Sequence, residues 1–350
     1  METPSVALAL QGGGSHGAFT WGALDRLLDS VEHGELRISG FSGASAGAIN
    51  AALCATGLAV GGPKLARAKL RGFWDDMVRR GASAGNALFG FADPGLFGLN
   101  IDWSPGAILL EAAGLVVSPY TNPFYVDALA PLLRNAFTAA DLVALNGTKA
   151  PRLFVSATDV GTNALKIFTQ PELSIDTLRA SACLPSEFRS VQIGDTFYWD
   201  GGYLGNPALD PLLDVADDLL LVLINPLAYD HAPPTNARQI LDRLNQITFN
   251  ASLVLELNAI EAVNKVLAAQ ATAEGRYRQI RLHMIQNERF MQTLGFVSKS
   301  STSATLIETL FGKGREAADR WLGAHRRDIG KASSCDPKAA LIGPVLKSRR

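Results

Sequence analysis

Cysteine is scarce in this chain of 350 residues: Cys54, Cys183 and Cys335 are the full set, odd in number and far apart. That spacing excludes a disulfide framework and a thiolate metal cluster, and it fits a reducing, cytoplasmic compartment. An excess of charge of either sign is also missing, since 32 Lys and Arg face 33 Asp and Glu. Binding of nucleic acid through bulk positive charge is therefore not expected. No uninterrupted apolar run reaches the length of a bilayer span. Met1-Glu2-Thr3-Pro4 lacks the basic and apolar regions that open a secretory signal. Only five histidines occur, and none of His33, His231, His283 or His325 lies in an evident glycine-rich or turn context. With no ligand cluster and no complete cofactor motif, neither a metal nor an organic cofactor is expected.

What is present suffices for a sizeable core: 47% of residues are hydrophobic and 19% charged. Short β-like runs at Val6 to Leu10, Leu36 to Phe41, Arg152 to Ser156, Leu165 to Thr169, Thr196 to Trp199, Asp218 to Asn225 and Arg281 to Met284 alternate with helical patterns. The run Asp218 to Asn225 is almost wholly apolar, as a parallel strand covered on both faces requires. An α/β layered fold follows. A long helix is expected from Ala237 to Ala268, with Ile240, Leu244, Ile247, Val254, Leu257 and Leu267 on one face. Ala304 to Leu322 reads as one closing helix, or as two broken at Gly312 to Gly314.

Three turns carry candidate chemistry. In Gly43-Ala44-Ser45-Ala46-Gly47, a serine between glycines sits where a strand gives way to a helix. Small neighbours let the backbone turn sharply there, presenting Ser45 as a nucleophile beside the amide of Ala46. The same pentapeptide recurs at Gly81-Ala82-Ser83-Ala84-Gly85, but after an amphipathic helix instead of a strand. That copy reads as a helix end. The first strand runs into Gln11-Gly12-Gly13-Gly14-Ser15-His16-Gly17. Gly12, Gly14 and Gly17 match a dinucleotide fingerprint, yet the next strand runs into Ser42 and the elbow where that motif needs an acidic residue. Consecutive glycines before a helix instead expose backbone N–H groups, as an oxyanion hole does. The third turn is Asp200-Gly201-Gly202, an aspartate at a strand end.

A serine, a set of N–H donors and a carboxylate together suit acyl transfer. The chain order Ser45, Asp200, His283 is also that of an α/β-hydrolase triad, although at most two strands precede Ser45. The motifs Gly12–Gly17, Gly43–Gly47 and Asp200–Gly202, with Ala180-Ser181-Ala182-Cys183-Leu184-Pro185 upstream of the aspartate, resemble the patatin-like phospholipase family over about residues 6–225. The resemblance implies a three-layer α/β/α sandwich with a mainly parallel sheet and lipid acyl hydrolysis by a Ser-Asp dyad without histidine. By position it makes Ser45 the nucleophile and Asp200 the general base. It assigns the oxyanion hole to the amides of Gly12, Gly13, Gly14 and Ser15, helped by Ala46. Many members carry Arg or Lys where His16 stands, so here the charge beside the glycine loop is expected to be absent or pH-dependent.

The expected organisation is a catalytic domain over 1–325, comprising the family-like part, a helical extension at 237–325 and an apolar insertion or lid at 81–126, which contains no Lys or Arg. A tail at 326–350 holds seven Lys and Arg against two Asp, and reads either as a solvated terminus or as a peripheral contact with an anionic membrane. The expected partner is a lipid or other ester substrate. A serine esterase or thioesterase on non-phospholipid esters, and a catalytically silent lipid-binding protein, are the alternatives.

Overall fold

The computed structural model describes residues 3–85, 99, 118–123, 125–228, 233–235, 237–269, 278–295 and 297–336. Most of the expected lid at 81–126 lies outside these residues, as do His231 and the end of the basic tail.

Strand β1 (Ser5–Leu10) leads into helix α1 (Gly17–Glu32), then β2 (Arg37–Gly43) into α2 (Ala46–Gly85). Helix α2 is interrupted at Gly62, where φ is 74°, and Pro63 follows. By length and apolarity its first part would suffice to cross a membrane, but two thirds of that stretch is buried in the fold. The second Gly-x-Ser-x-Gly pentapeptide forms the last turn of α2, as its helical lead-in dictates. Next come α3 (Leu129–Ala136), α4 (Ala139–Leu145), β3 (Arg152–Asp159), β4 (Leu165–Thr169), α5 (Ile175–Ser181), β5 (Val191–Ile193) and β6 (Thr196–Asp200). The chain closes with β7 (Asp218–Val222), α6 (Ala237–Ala269), β8 (Arg281–Ile285), α7 (Glu288–Met291) and α8 (Ala304–His325).

The sheet is mixed and mainly parallel: β3, β2, β1, β7 and β8 run parallel side by side, while β4, β5 and β6 pair antiparallel. Strand alternation divides its buried residues between two layers. Val6, Leu8, Leu10, Leu220 and Val222 face α1, α2 and α8, whereas Ala7, Ala9, Leu219, Leu221 and Leu282 face Leu253, Leu257 and Ile260 of α6. This is the α/β/α sandwich.

Two details of the helices sharpen the sequence reading, and for the closing helix the single-helix alternative holds. Helix α8 is unbroken, because Gly314 permits close contact with α1 instead of ending the helix. A Cβ there would lie 1.9 Å from the Phe19 carbonyl oxygen, and one at Gly22 would lie 2.0 Å from that of Phe311. In α6 the expected apolar face is buried only in part: Leu257 points inward, with Phe249, Leu253 and Ile260, but Ile240, Leu244 and Ile247 are exposed. In its first half an inward position belongs to Asn250, whose Oδ1 accepts from Gln11 beside the glycine loop, while Gln246 bonds to Asp242 and Arg243 of the same helix and lines a small cavity.

The pairing of β3 explains how two distant turns meet. Strand β4 occupies one edge of β3 through residues 154–158. Strand β2, paired to residues 152–155, and β6, paired to 157–159, must therefore share the other edge. Strand β2 leaves the sheet after Gly43, opposite Val155, and β6 ends with Asp200 opposite Ala157. The elbow and the aspartate turn thus converge on adjoining positions.

Candidate active site

Ser45 sits between β2 and α2 with φ at 54°, one of two non-glycine residues with positive φ among those described. Such a backbone is costly for a residue with a Cβ and persists only where the surroundings enforce it. Here the constraint is visible: the Ser45 N–H donates to Ser181, whose carbonyl lies at 3.1 Å and hydroxyl at 3.0 Å. Ser181 is held in turn at the end of α5, whose start is fixed by a capping box between Ser174 and Thr177. Two residues on, the Cys183 carbonyl accepts the Asp200 N–H at 2.8 Å. The Ala180–Pro185 segment therefore clamps the backbone of both sequence-identified residues.

Asp200 is fully buried and Ser45 is 5% exposed. One carboxylate oxygen of Asp200 accepts from the Gly202 N–H at 2.7 Å. The other, Oδ2, is buried without a well-formed hydrogen bond among the described residues. Burial raises the Asp200 pKa to about 7, against the opposing pull of the Gly202 N–H and the nearby Ser45 hydroxyl. The Ser45 contact is close enough to act on the carboxyl yet falls short of good hydrogen-bond geometry. Loose contacts of this kind are common between a serine and its base before substrate arrives.

The glycine loop lies against the elbow, since a Cβ on Gly12 would come within 2.7 Å of Ser45 Cβ and 2.6 Å of the Ala44 carbonyl oxygen. Gly12 itself is not an oxyanion donor: its N–H is committed to Asn206 Oδ1 at 2.7 Å. Among the described residues, the N–H groups of Gly13, Gly14, Ser15 and Ala46 have no such partner, which leaves them for a developing negative charge. Gly14 has φ at 57°, a conformation that favours glycine.

The loop is locked by amide side chains that the motifs did not reveal. Gln11 Oε1 accepts the N–H groups of Ile224 and Asn225, both at 2.9 Å, and its Nε2 donates to Asn250 Oδ1 at 2.9 Å. Asn225 Nδ2 donates to the Gly12 carbonyl at 2.9 Å, and Asn250 Nδ2 to that of Pro226 at 2.9 Å. The available signal was local: Asn206-Pro207 and Asn225-Pro226 are both Asn-Pro turns at element ends.

The charge beside the loop is also placed differently from expectation. His16 is buried, and its Nε2 pairs with Ser298 Oγ at 2.7 Å. Burial, reinforced by the positive charge of Lys299, pulls its pKa down to about 3, so it stays neutral. Lys299 supplies the cation, with Nζ 3.0 Å from Asn225 Oδ1.

His283 is no part of this site. Its Nε2 pairs with Asp218 Oδ1 at 3.1 Å and its Nδ1 with Ser334 Oγ at 2.9 Å. Asp218 also receives Arg281 through two bonds and the Gly330 N–H. Residues 326–336 accordingly lie against β8, with the Ser334 N–H bonded to the Leu282 carbonyl at 3.0 Å.

A buried serine and a buried carboxylate thus lie at the ends of β2 and β6 of an α/β protein, beside a loop whose amides lack partners among the described residues. The patatin-like phospholipase model matches residues 8–213, and the chain belongs to that family. Among solved structures, VipD from Legionella pneumophila is 17% identical, with a TM-score of 0.44, over 93% of this chain and 67% of VipD. The type III effector ExoU is 16% identical, with a TM-score of 0.37, over 92% of this chain and 54% of ExoU. The chain thus spans little more than half of ExoU. No curated protein sequence matches the chain.

Proposed function

We propose that the protein is a lipid acyl hydrolase that cleaves carboxylic esters through a Ser45–Asp200 dyad and an acyl-enzyme intermediate. The observation that carries this is the strained, clamped Ser45 beside a buried carboxylate whose outer oxygen has no well-formed hydrogen bond. Ser45 Oγ attacks the ester carbonyl while its proton passes to Asp200. The tetrahedral oxyanion is held by the free amides of the glycine loop and of Ala46. Collapse expels the alcohol, which takes the proton from Asp200, and leaves Ser45 acylated. Asp200 then draws a proton from water as that water attacks the acyl group, and collapse releases the fatty acid while Ser45 Oγ takes the proton back from Asp200. An apolar acyl substrate fits the family to which the chain belongs.

The test is fluorophosphonate labelling of wild type, Ser45→Ala and Asp200→Asn, with hydrolysis measured on phospholipid vesicles, lysophospholipid micelles and short soluble esters. The expected result is labelling that requires Ser45, and hydrolysis that requires both residues and is greatest on lipid aggregates. Undiminished hydrolysis by Ser45→Ala would refute the dyad. Activity confined to soluble esters would move the protein to the esterase alternative.

A further inference from the structure

Lys299 lies 86 residues beyond the end of the family match at 213, in a short 3₁₀ turn at Val297–Ser300, yet it abuts the glycine loop. A Cβ on Gly14 would lie 2.2 Å from the Lys299 carbonyl oxygen, so backbone meets backbone there. The preceding residue, Ser298, holds His16 at 2.7 Å and donates to the Gly295 carbonyl at 2.5 Å. The turn is therefore fastened to the loop at two points before the lysine side chain is considered.

That side chain heads a continuous series of hydrogen bonds. Lys299 Nζ donates to Asn225 Oδ1 at 3.0 Å, and Asn225 Nδ2 donates to the Gly12 carbonyl at 2.9 Å. The Gly12 carbonyl belongs to the same peptide unit as the Gly13 N–H. A peptide is planar and its carbonyl and N–H point in opposite directions, so a donor on the carbonyl both fixes the N–H and increases its polarity. Two amides in series thus connect an ammonium group to a candidate oxyanion donor. Hydrogen bonds in such chains strengthen one another, and the effect is larger away from water.

We infer that Lys299 is a positioning residue for ester hydrolysis: through Asn225 it orients and polarises the Gly13 N–H toward the tetrahedral oxyanion. The inference rests on the Ser45–Asp200 reading above. Among the described residues, the charged and titratable groups acting on Lys299 include Asp242 of α6 and Asp200 at the end of β6, with neutral His16 beside it. Asp242 shares with Lys299 a small cavity behind the loop, lined also by His16, Asn225 and Gln246.

The experiment compares Lys299→Met, Lys299→Gln and Lys299→Arg with wild type, counting competent sites by complete fluorophosphonate titration. Turnover is expressed per titrated site. Met removes the donor and the charge, Gln keeps a donor alone, and Arg keeps both. The expected result is a fall in kcat of about 10- to 100-fold for Met, with KM within about twofold of wild type. Gln lies between, and Arg recovers most of the rate. The second-order rate of fluorophosphonate inactivation follows the same order, because that reaction also builds negative charge on oxygen at the loop.

Wild-type kcat in Lys299→Met, or a loss confined to KM, overturns the assignment. So does a smaller number of titratable sites with normal turnover at each, which would mean a structural role. Equal rates for Gln and Arg overturn the role of charge. Ser45→Ala is run in parallel: hydrolysis surviving in that variant removes the dyad and the Lys299 assignment together. If Ser45→Ala is inactive and Lys299→Met is normal, only the Lys299 assignment falls.

Discussion

Two serine–carboxylate constellations invite comparison, and the one that contains a histidine, as a triad does, is the one that is chemically closed. Ser334 Oγ, His283 and Asp218 form an unbroken series at 2.9 and 3.1 Å. Every part of it is occupied: Trp321 Nε1 donates to Ser334 Oγ at 3.1 Å, and Arg281 and the Gly330 N–H saturate Asp218. These donors hold the Asp218 carboxyl well below the usual carboxylate range, against the effect of burial. Ser45 and Asp200 show the reverse. The serine backbone is strained, one carboxylate oxygen is orphaned, the carboxyl pKa is raised and the adjacent amides are unpaired. Satisfied polar groups stabilise a fold, whereas groups held short of satisfaction retain interactions for a transition state.

The sharpest test of this contrast is Ser45→Ala against Ser334→Ala. Loss of Ser45 should lower hydrolysis by roughly a thousandfold or more, as removal of a nucleophile does. Ser334→Ala should leave turnover unchanged, and a comparable loss there would reverse the assignment of the two sites. Asp200→Asn should come next, at about 10²- to 10⁴-fold in kcat for loss of a general base. In wild type, kcat/KM should rise with pH through about 7 as Asp200 ionises.

Asp200 also separates function from stability. Its folded pKa, about 7, lies above the ordinary aspartate value of 3.8. Its contribution to stability is therefore full below pH ~4 and is lost as pH rises through ~7. The melting temperature of Asp200→Asn minus that of wild type should increase between pH 4 and 8, on the order of a few degrees. A difference that shrinks over this range would contradict a raised pKa.

At the closed constellation the effects should fall on folding alone. Asp218→Ala leaves Arg281 and His283 without their buried partner and should cost about 3 to 5 kcal/mol in denaturant unfolding, with normal turnover per labelled site. Ser334→Ala should have the smallest effect, about 1 kcal/mol, from loss of its hydrogen bonds to His283 and Trp321.

Much of this was legible in local sequence. The elbow at Ser45, the glycine loop and the Asp200 turn are short-range patterns in which residue size and backbone freedom decide the conformation. Strand alternation and the apolar run at Asp218 likewise specify a sheet covered on both faces. Other features were open to misreading because one residue pattern serves two purposes. Gly314 has the form of a helix break but allows α8 to approach α1, and the apolar positions Ile240, Leu244 and Ile247 mark the outer face of α6, not its core.

By itself, then, the sequence determined the order of elements and singled out the candidate serine, loop and carboxylate, because each local conformation is set by neighbours a few residues away. Tertiary structure alone decided which polar atoms are left unpaired. It brought β2 and β6 to one edge of β3, tied the Gly12 N–H to Asn206, silenced His283 with Asp218 and set Lys299 behind the loop. Those outcomes depend on burial and on partners tens to hundreds of residues apart, and no local pattern encodes them.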